Sequence, residues 1–225
     1  MGNLIASETK ERAYEVYKRV DFINYWLYTF TATCLLCLVE PFVAIWLGQD
    51  FVLTKAILIL AVAIYYFKGI SSGIDIAKNA AGLYYPDRFI PMAEAIANMV
   101  ISIVLAKRYG IAGVLFGTLV SFLALSFWAK PYFVCRDVFE VSFARYAVRE
   151  GREIVVSVLV AAGTWYAVSL VSLENVLLSF GVKALLALAL SNGLLLLVYF
   201  KTSEFQYLRG LLESTANRIG KRKKA

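Results

Sequence analysis

The sequence contains no histidine. That absence removes the Ser-His-Asp and Cys-His nucleophile devices, His-ligated metals and the imidazole proton shuttle. Cysteine is scarce: Cys34, Cys37 and Cys135 are the only three. Cys34 and Cys37 fall inside an apolar run, where a thiol is a small packing side chain, and no disulfide framework is implied. Charge is thin as well. Asp, Glu, Lys and Arg make up 17% of the 225 residues, against ~25% in a soluble globular domain. The N-terminus lacks the basic, apolar, small-residue order of a secretory signal. Residues 1–20 are polar and helix-prone instead, so the chain is expected to start in an aqueous compartment without a cleaved leader. No low-complexity tract or soluble domain interrupts the remainder.

What is present is hydrophobic side chain: 60% of all residues, with a mean hydropathy of +0.69. A bilayer core of about 30 Å asks for ~20 apolar residues in a helix. Four stretches come close at about 23–46, 51–75, 89–106 and 111–129, and a terminal pair lies within 153–200. The expected fold is therefore an all-α polytopic membrane bundle of about six transmembrane helices. Residues 1–135 are read as one lobe, 136–152 as an amphipathic linker in the headgroup plane, and 201–225 as a basic tail. The lead-in 8–20 is read as a helix lying on the surface. Trp26 and Trp46 are placed as interfacial anchors.

Orientation follows from counting Lys and Arg beside the spans. The six-span reading puts eighteen of the 23 on the side of both termini. The other side holds Lys55, Lys107 and Arg108, while Lys68 and Lys183 fall within spans. Both termini are thus expected to face the cytoplasm. The net charge of +7 reads as a topology signal and an attraction to anionic membrane lipids, with no nucleic-acid partner.

The second half of the second span is unusually polar. Lys68 and Asp75, seven residues apart, fall on one helix face, and Gly69 and Gly73 make a small-residue pair that lets a neighbouring helix come close. Gly113 and Gly117 make another. Lys68 lies ~15 Å from the end of its helix, so it either snorkels to the interface or faces a watery cavity. Asp75, Lys78 and Arg88 sit nearer the interface and read equally as solvated helix-end charges. Glu94 and Asn98, spaced i, i+4 inside an apolar helix, serve either interhelical hydrogen bonding or ligand contact.

Several segments resemble a known family. Gly2-Asn-Leu-Ile-Ala, Pro41-Phe-Val-Ala-Ile-Trp-Leu-Gly48, Ala81-Gly-Leu-Tyr-Tyr-Pro-Asp-Arg-Phe, Glu94-Ala-Ile-Ala-Asn98 and Gly110-Ile-Ala-Gly-Val-Leu-Phe-Gly-Thr are similar to the C-terminal half of bacterial polysaccharide flippases. These belong to the multidrug/oligosaccharidyl-lipid/polysaccharide exporter superfamily, and the likeness is to O-antigen and capsule repeat-unit translocases. It covers about residues 1–150 with order and spacing intact. Family members have about fourteen helices in two pseudosymmetric lobes and a terminal pair, so the six spans here look like helices nine to fourteen.

The resemblance implies a bacterial inner-membrane transporter that flips a lipid-linked oligosaccharide of the polyprenyl pyrophosphate type by alternating access. It needs no cofactor and no metal, and makes or breaks no bond. It implies Lys68, Lys78 and Arg88 as candidates for the phosphate end, and Asp75, Glu94 and Asn98 as candidates for sugar hydroxyls or a coupling cation. It also implies that the first lobe is supplied in cis by a longer gene product or by a separate chain. The alternative is a non-transporting membrane subunit or a gene remnant. A membrane glycosyltransferase or acyltransferase would need an acid–base or metal cluster on a loop. The loops offer Asp87 beside Pro86, and Asp137 with Glu140, but no histidine and no DxD-like pair.

Overall fold

The computed structural model describes residues 9–207, 209 and 210. The motif beginning at Gly2, Leu208 and the basic run from Arg218 to Lys224 lie outside the described residues. The described residues are 85% helical, and no strand occurs among them. Its helices are α1 (Lys10–Trp46), α2 (Lys55–Ile70), α3 (Ser72–Ala80), α4 (Ile90–Tyr109), α5 (Ile111–Ala124), α6 (Ser126–Val134), α7 (Phe143–Ser169) and α8 (Val176–Tyr199). A 3-10 turn at Gln49–Phe51 precedes α2, and a π turn at Cys135–Phe139 follows α6. Because α2 runs on into α3, and α5 into α6 and the π turn, six units are long and apolar enough to cross a membrane. The fold is an all-helical polytopic bundle.

Local chemistry sets several of the boundaries. Thr9 caps α1 by accepting from the Arg12 N–H, and Asn175 caps α8 by accepting from the Leu178 N–H at 3.0 Å, each satisfying a donor without an intrahelical partner. Pro91 falls in the first turn of α4, where its missing N–H costs nothing. The connection from α4 to α5 is the single residue Gly110, at φ 56° and ψ −132°. Only glycine reaches that conformation cheaply.

The long helix α1 organises the packing. One side meets α2 and α3, and the other meets α7 and α8. Phe22 and Tyr25 pack with Val160, Leu195 and Tyr199, and further along Cys37 packs with Val168 and Ala187. In hydrocarbon there is no hydrophobic drive to pair helices, so close contact and interhelical hydrogen bonds do the joining. A Cβ on Gly69 would lie 2.0 Å from the Tyr28 ring, and one on Gly73 2.5 Å from Asp21 Oδ1. Around these contacts Asn24 Nδ2 donates to the Gly69 carbonyl (2.9 Å) and Tyr66 donates to Ser157 Oγ (2.9 Å), which also stands 2.7 Å from Thr29 Oγ1.

The α4–α5 hairpin hangs on this body through α5, which packs on α2. Its two helices are joined at the second glycine pair. A Cβ on Gly113 would meet the Leu105 carbonyl oxygen at 2.4 Å, and one on Gly117 would meet Ser102 Oγ at 2.5 Å and Ser102 N at 2.9 Å. Helix α4 itself contains no buried residue.

Two sequence expectations are corrected. The lead-in 8–20 is no surface helix: it forms the first turns of α1, and Ala13, Tyr14 and Tyr17 are buried against Val134, Val138, Phe139 and Tyr146. The linker 136–152 is not a separate helix in the headgroup plane. The π turn ends at Glu140, in the left-handed region at φ 52°, and α7 then runs unbroken from Phe143 through the fifth span. Arg149, inside that stretch, is drawn into the bundle by Asp21 on α1. The indole of Trp26 also joins α1 to α8, donating to Asn192 Oδ1 at 3.0 Å.

Candidate functional site

The six candidate residues lie on α2, on α3 and the loop after it, and on α4, and the structure pairs most of them within the chain. Asp75 on α3 bonds Lys130 of α6 through both carboxylate oxygens, at 2.9 and 3.3 Å. Lys78, one turn on, forms an ion pair with Asp87 in the loop before α4, and Asp87 is only 3% exposed. Glu94 on α4 accepts a hydrogen bond from Ser126 Oγ on α6. Asn98 Oδ1 accepts from Ser102 Oγ at 2.8 Å and from Thr118 Oγ1 of α5 at 3.3 Å.

These bonds share an organising element that sequence reasoning missed. Ser126 and Lys130 stand i, i+4 on α6 and so share one face. That face takes Glu94 from α4 and Asp75 from α3. Glu94 and Asn98 are again i, i+4, which continues the line of polar groups along α4 toward Thr118. The result is a polar seam binding α3, α4, α5 and α6. A charge buried alone in a membrane is expensive, and the seam shows how this chain avoids that: each acidic candidate has a donor opposite it.

Lys68 and Arg88 stand apart from this seam. Lys68 Nζ lies 5.9 Å from the centroid of the Phe122 ring, and the Arg88 guanidinium lies 4.0 Å from that of Tyr85 and 4.7 Å from that of Phe89. Both side chains are exposed, and neither forms an ion pair with any described residue. Cations resting on aromatic faces keep their donors available. The loop carboxylates Asp87, Asp137 and Glu140 are engaged: Asp87 with Lys78, Asp137 with Arg136 at 2.5 Å, and Glu140 with Lys10.

A groove of about 300 Å³ opens between α1, α2 and α7, lined by Thr29, Thr33, Tyr66, Phe67, Ser157 and Trp165 among apolar side chains. Its polar edge is the hydroxyl chain of Thr29, Ser157 and Tyr66. None of the six candidates lines it.

A second group of buried charges lies elsewhere. Asp21, Glu150 and Glu153 are 5%, 4% and 5% exposed, and their carboxylates offer oxygens that all lie within 4.8 Å of one another. Arg149 bonds Asp21 Oδ2, and its Nε stands 3.9 Å from Glu153. Gly73 of α3 leaves the room that Asp21 Oδ1 occupies. In the sequence the cluster is visible only as one acidic residue just ahead of each of two apolar runs, Asp21 before Ile23 and Glu153 before Ile154. Nothing in the spacing says that the two meet.

No family model, no curated protein and no solved structure matches this chain.

Proposed function

We propose that this chain is part of a bacterial inner-membrane flippase, working as a lobe that moves lipid-linked oligosaccharide repeat units across the bilayer. The observation that carries the reading is the state of α4. It turns Glu94 and Asn98 toward α6 and α5, yet buries none of its own residues within the chain. Met92, Ile96, Met99, Val100, Ile103 and Val104 are more than half exposed. A span tied down by hydrogen bonds on one face and uncovered on the others fits a lobe that closes against a second lobe. The order of the motifs from Pro41 to Thr118 supports the same reading.

In this reading the polar seam keeps α3 to α6 moving as one unit when the lobes rock. Lys68 and Arg88, the candidate cations without a carboxylate opposite, take the anionic pyrophosphate. Lys78 and Asp75 hold the seam together instead of binding substrate. The cycle is one of binding, rocking and release, and no bond changes.

The test uses a bacterial strain in which lipid-linked repeat units accumulate on the cytoplasmic leaflet for want of a flippase. Expression of the full gene product carrying this chain restores surface polysaccharide. Arg88→Ala and Lys68→Ala lower export by about tenfold, the loss of one charge-assisted contact of ~1.5 kcal/mol, at unchanged protein level in the membrane. Unrelieved accumulation with the wild-type protein present at normal level refutes the proposal.

A further inference from the structure

The cluster of Asp21, Glu150 and Glu153 plays no part in the function proposed above, and its geometry stands independently of that reading. Three carboxylates from α1 and α7 converge with a single buried guanidinium, Arg149. Fully ionised, the set carries two negative charges beyond Arg149, which a buried site relieves either by binding a cation or by holding protons. Lys18 is already bonded to Glu15 at 2.6 Å, and Arg152 is exposed.

A second observation points into the same space. Tyr17 is 1% exposed, and its hydroxyl makes no hydrogen bond among the described residues. It stands close enough to Asp21, Glu150 and Arg149 to feel all three charges. A buried hydroxyl normally has a partner, and this one has an oxygen lone pair left over beside a carboxylate cluster. Next to Glu153 a polar cavity of about 20 Å³ is lined by Lys18, Arg149, Arg152, Thr202 and Glu204. That is room for one water or one bare ion, and too little for a phosphate.

We propose that Asp21, Glu150 and Glu153 form a binding site for one divalent metal cation, with the Tyr17 hydroxyl as a fourth oxygen. The cation ties α1 to α7. Oxygen donors alone select a hard ion, and a charge of two closes the sum of three carboxylates and one guanidinium. Coordination narrows the choice. Opposite ligands of Ca²⁺ stand about 4.6–5.2 Å apart and those of Mg²⁺ about 4.0–4.2 Å. The carboxylate oxygens lie within 4.8 Å of one another, a bound that admits either ion, and the flexible oxygen coordination of Ca²⁺ asks less of these three carboxylates than the octahedron of Mg²⁺ does. A water in the adjoining cavity supplies a further ligand. The absence of histidine, which rules out the softer imidazole-ligated sites, leaves this oxygen set untouched.

The experiment takes the full chain, purified with chelator into detergent or nanodiscs, and titrates it with Ca²⁺ and with Mg²⁺. Direct binding is read by calorimetry, and the unfolding temperature by tryptophan fluorescence. The expected result is one saturable site per chain, tighter for Ca²⁺, with a rise in unfolding temperature that saturates in step. Glu150→Gln weakens binding at least tenfold, whereas Asp50→Asn, at the far end of α1, binds as wild type. No saturable binding by the wild-type protein overturns the proposal, as does an unfolding temperature that answers to pH but to neither metal. Wild-type affinity in Glu150→Gln also overturns it. Should that variant fail to fold, the wild-type titration decides alone.

Discussion

Replacing Lys78 by methionine separates two roles that one lysine cannot easily combine. Its ammonium is bonded to Asp87, and the two side chains are 12% and 4% exposed. Asp87 has no other side-chain partner among the described residues. Removing the cation leaves a carboxylate buried without compensation, and breaking such a pair from one side costs about 3–5 kcal/mol. The lower end applies here, because the pair sits in a loop at a helix end where water can reach a displaced side chain. For a chain of this size each kcal/mol moves the melting temperature by about 2–4 °C, so Lys78→Met is expected to melt ~6–12 °C below wild type. Adding Asp87→Asn removes the stranded charge, and the double variant is expected to recover most of the loss, since a buried pair replaced on both sides is often near neutral. The assay is scanning fluorimetry in detergent across the four-protein cycle, with repeat-unit export measured in parallel. If Lys78 serves Asp87, export falls in the single variant and returns in the double. A Lys78→Met protein that melts within ~2 °C of wild type, or a double variant no better than the single, refutes the reasoning. It would return Lys78 to the substrate.

Three further perturbations address the helix contacts. Gly117→Ala places a Cβ 2.9 Å from a backbone nitrogen on α4; the hairpin must open, at a cost of about 1–3 kcal/mol, read as a lower melting temperature. Asn98→Leu removes the acceptor for Ser102 and Thr118 and costs ~0.6–1.7 kcal/mol, the measured range for hydrogen bonds between membrane helices. It therefore perturbs the same fluorimetric midpoint less than Gly117→Ala. Gly69→Ala drives a methyl to 2.0 Å from the Tyr28 ring. The ring yields where a backbone cannot, so the expected effect is a displaced Tyr28–Tyr65 pair, 5.2 Å between centroids in the native protein, with altered tyrosine near-ultraviolet dichroism and only a modest change in melting temperature.

The spans were legible because hydrocarbon imposes a length and a composition, and both are written linearly. All six stretches reappear as helical units, with shifts at their ends that follow from chemistry a window of hydropathy ignores. The second unit starts at Lys55, not near residue 51, because Gln49–Phe51 form a 3-10 turn. The fourth runs on to Phe139 because the stretch after Pro131, charged at Arg136 and Asp137, is still helical backbone buried on one side by Tyr14 and Tyr17. The two glycine pairs were legible for a similar reason: a four-residue spacing of small residues marks one helix face, and each pair meets a neighbour at a distance no Cβ would allow.

Charge partners are a different kind of information. Asp75 and Lys130 are 55 residues apart in the chain, and Asp21 and Arg149 are 128 apart. No periodicity relates them. Read alone, an intramembrane lysine or glutamate is costly and therefore invites a ligand; read with its partner, the same residue is a fastener. That inversion applies to Asp75, Lys78 and Glu94, whose partners the structure supplies. It spares Lys68 and Arg88, which rest on aromatic rings with no carboxylate opposite. It works the other way at Asp21, Glu150 and Glu153. Single acids at the edge of apolar runs invite no suspicion one by one, yet folding α1 against α7 concentrates more negative charge than Arg149 can balance. The residues most worth testing for ligands are thus those whose electrostatics the fold leaves open, the two cations Lys68 and Arg88 and the one carboxylate cluster.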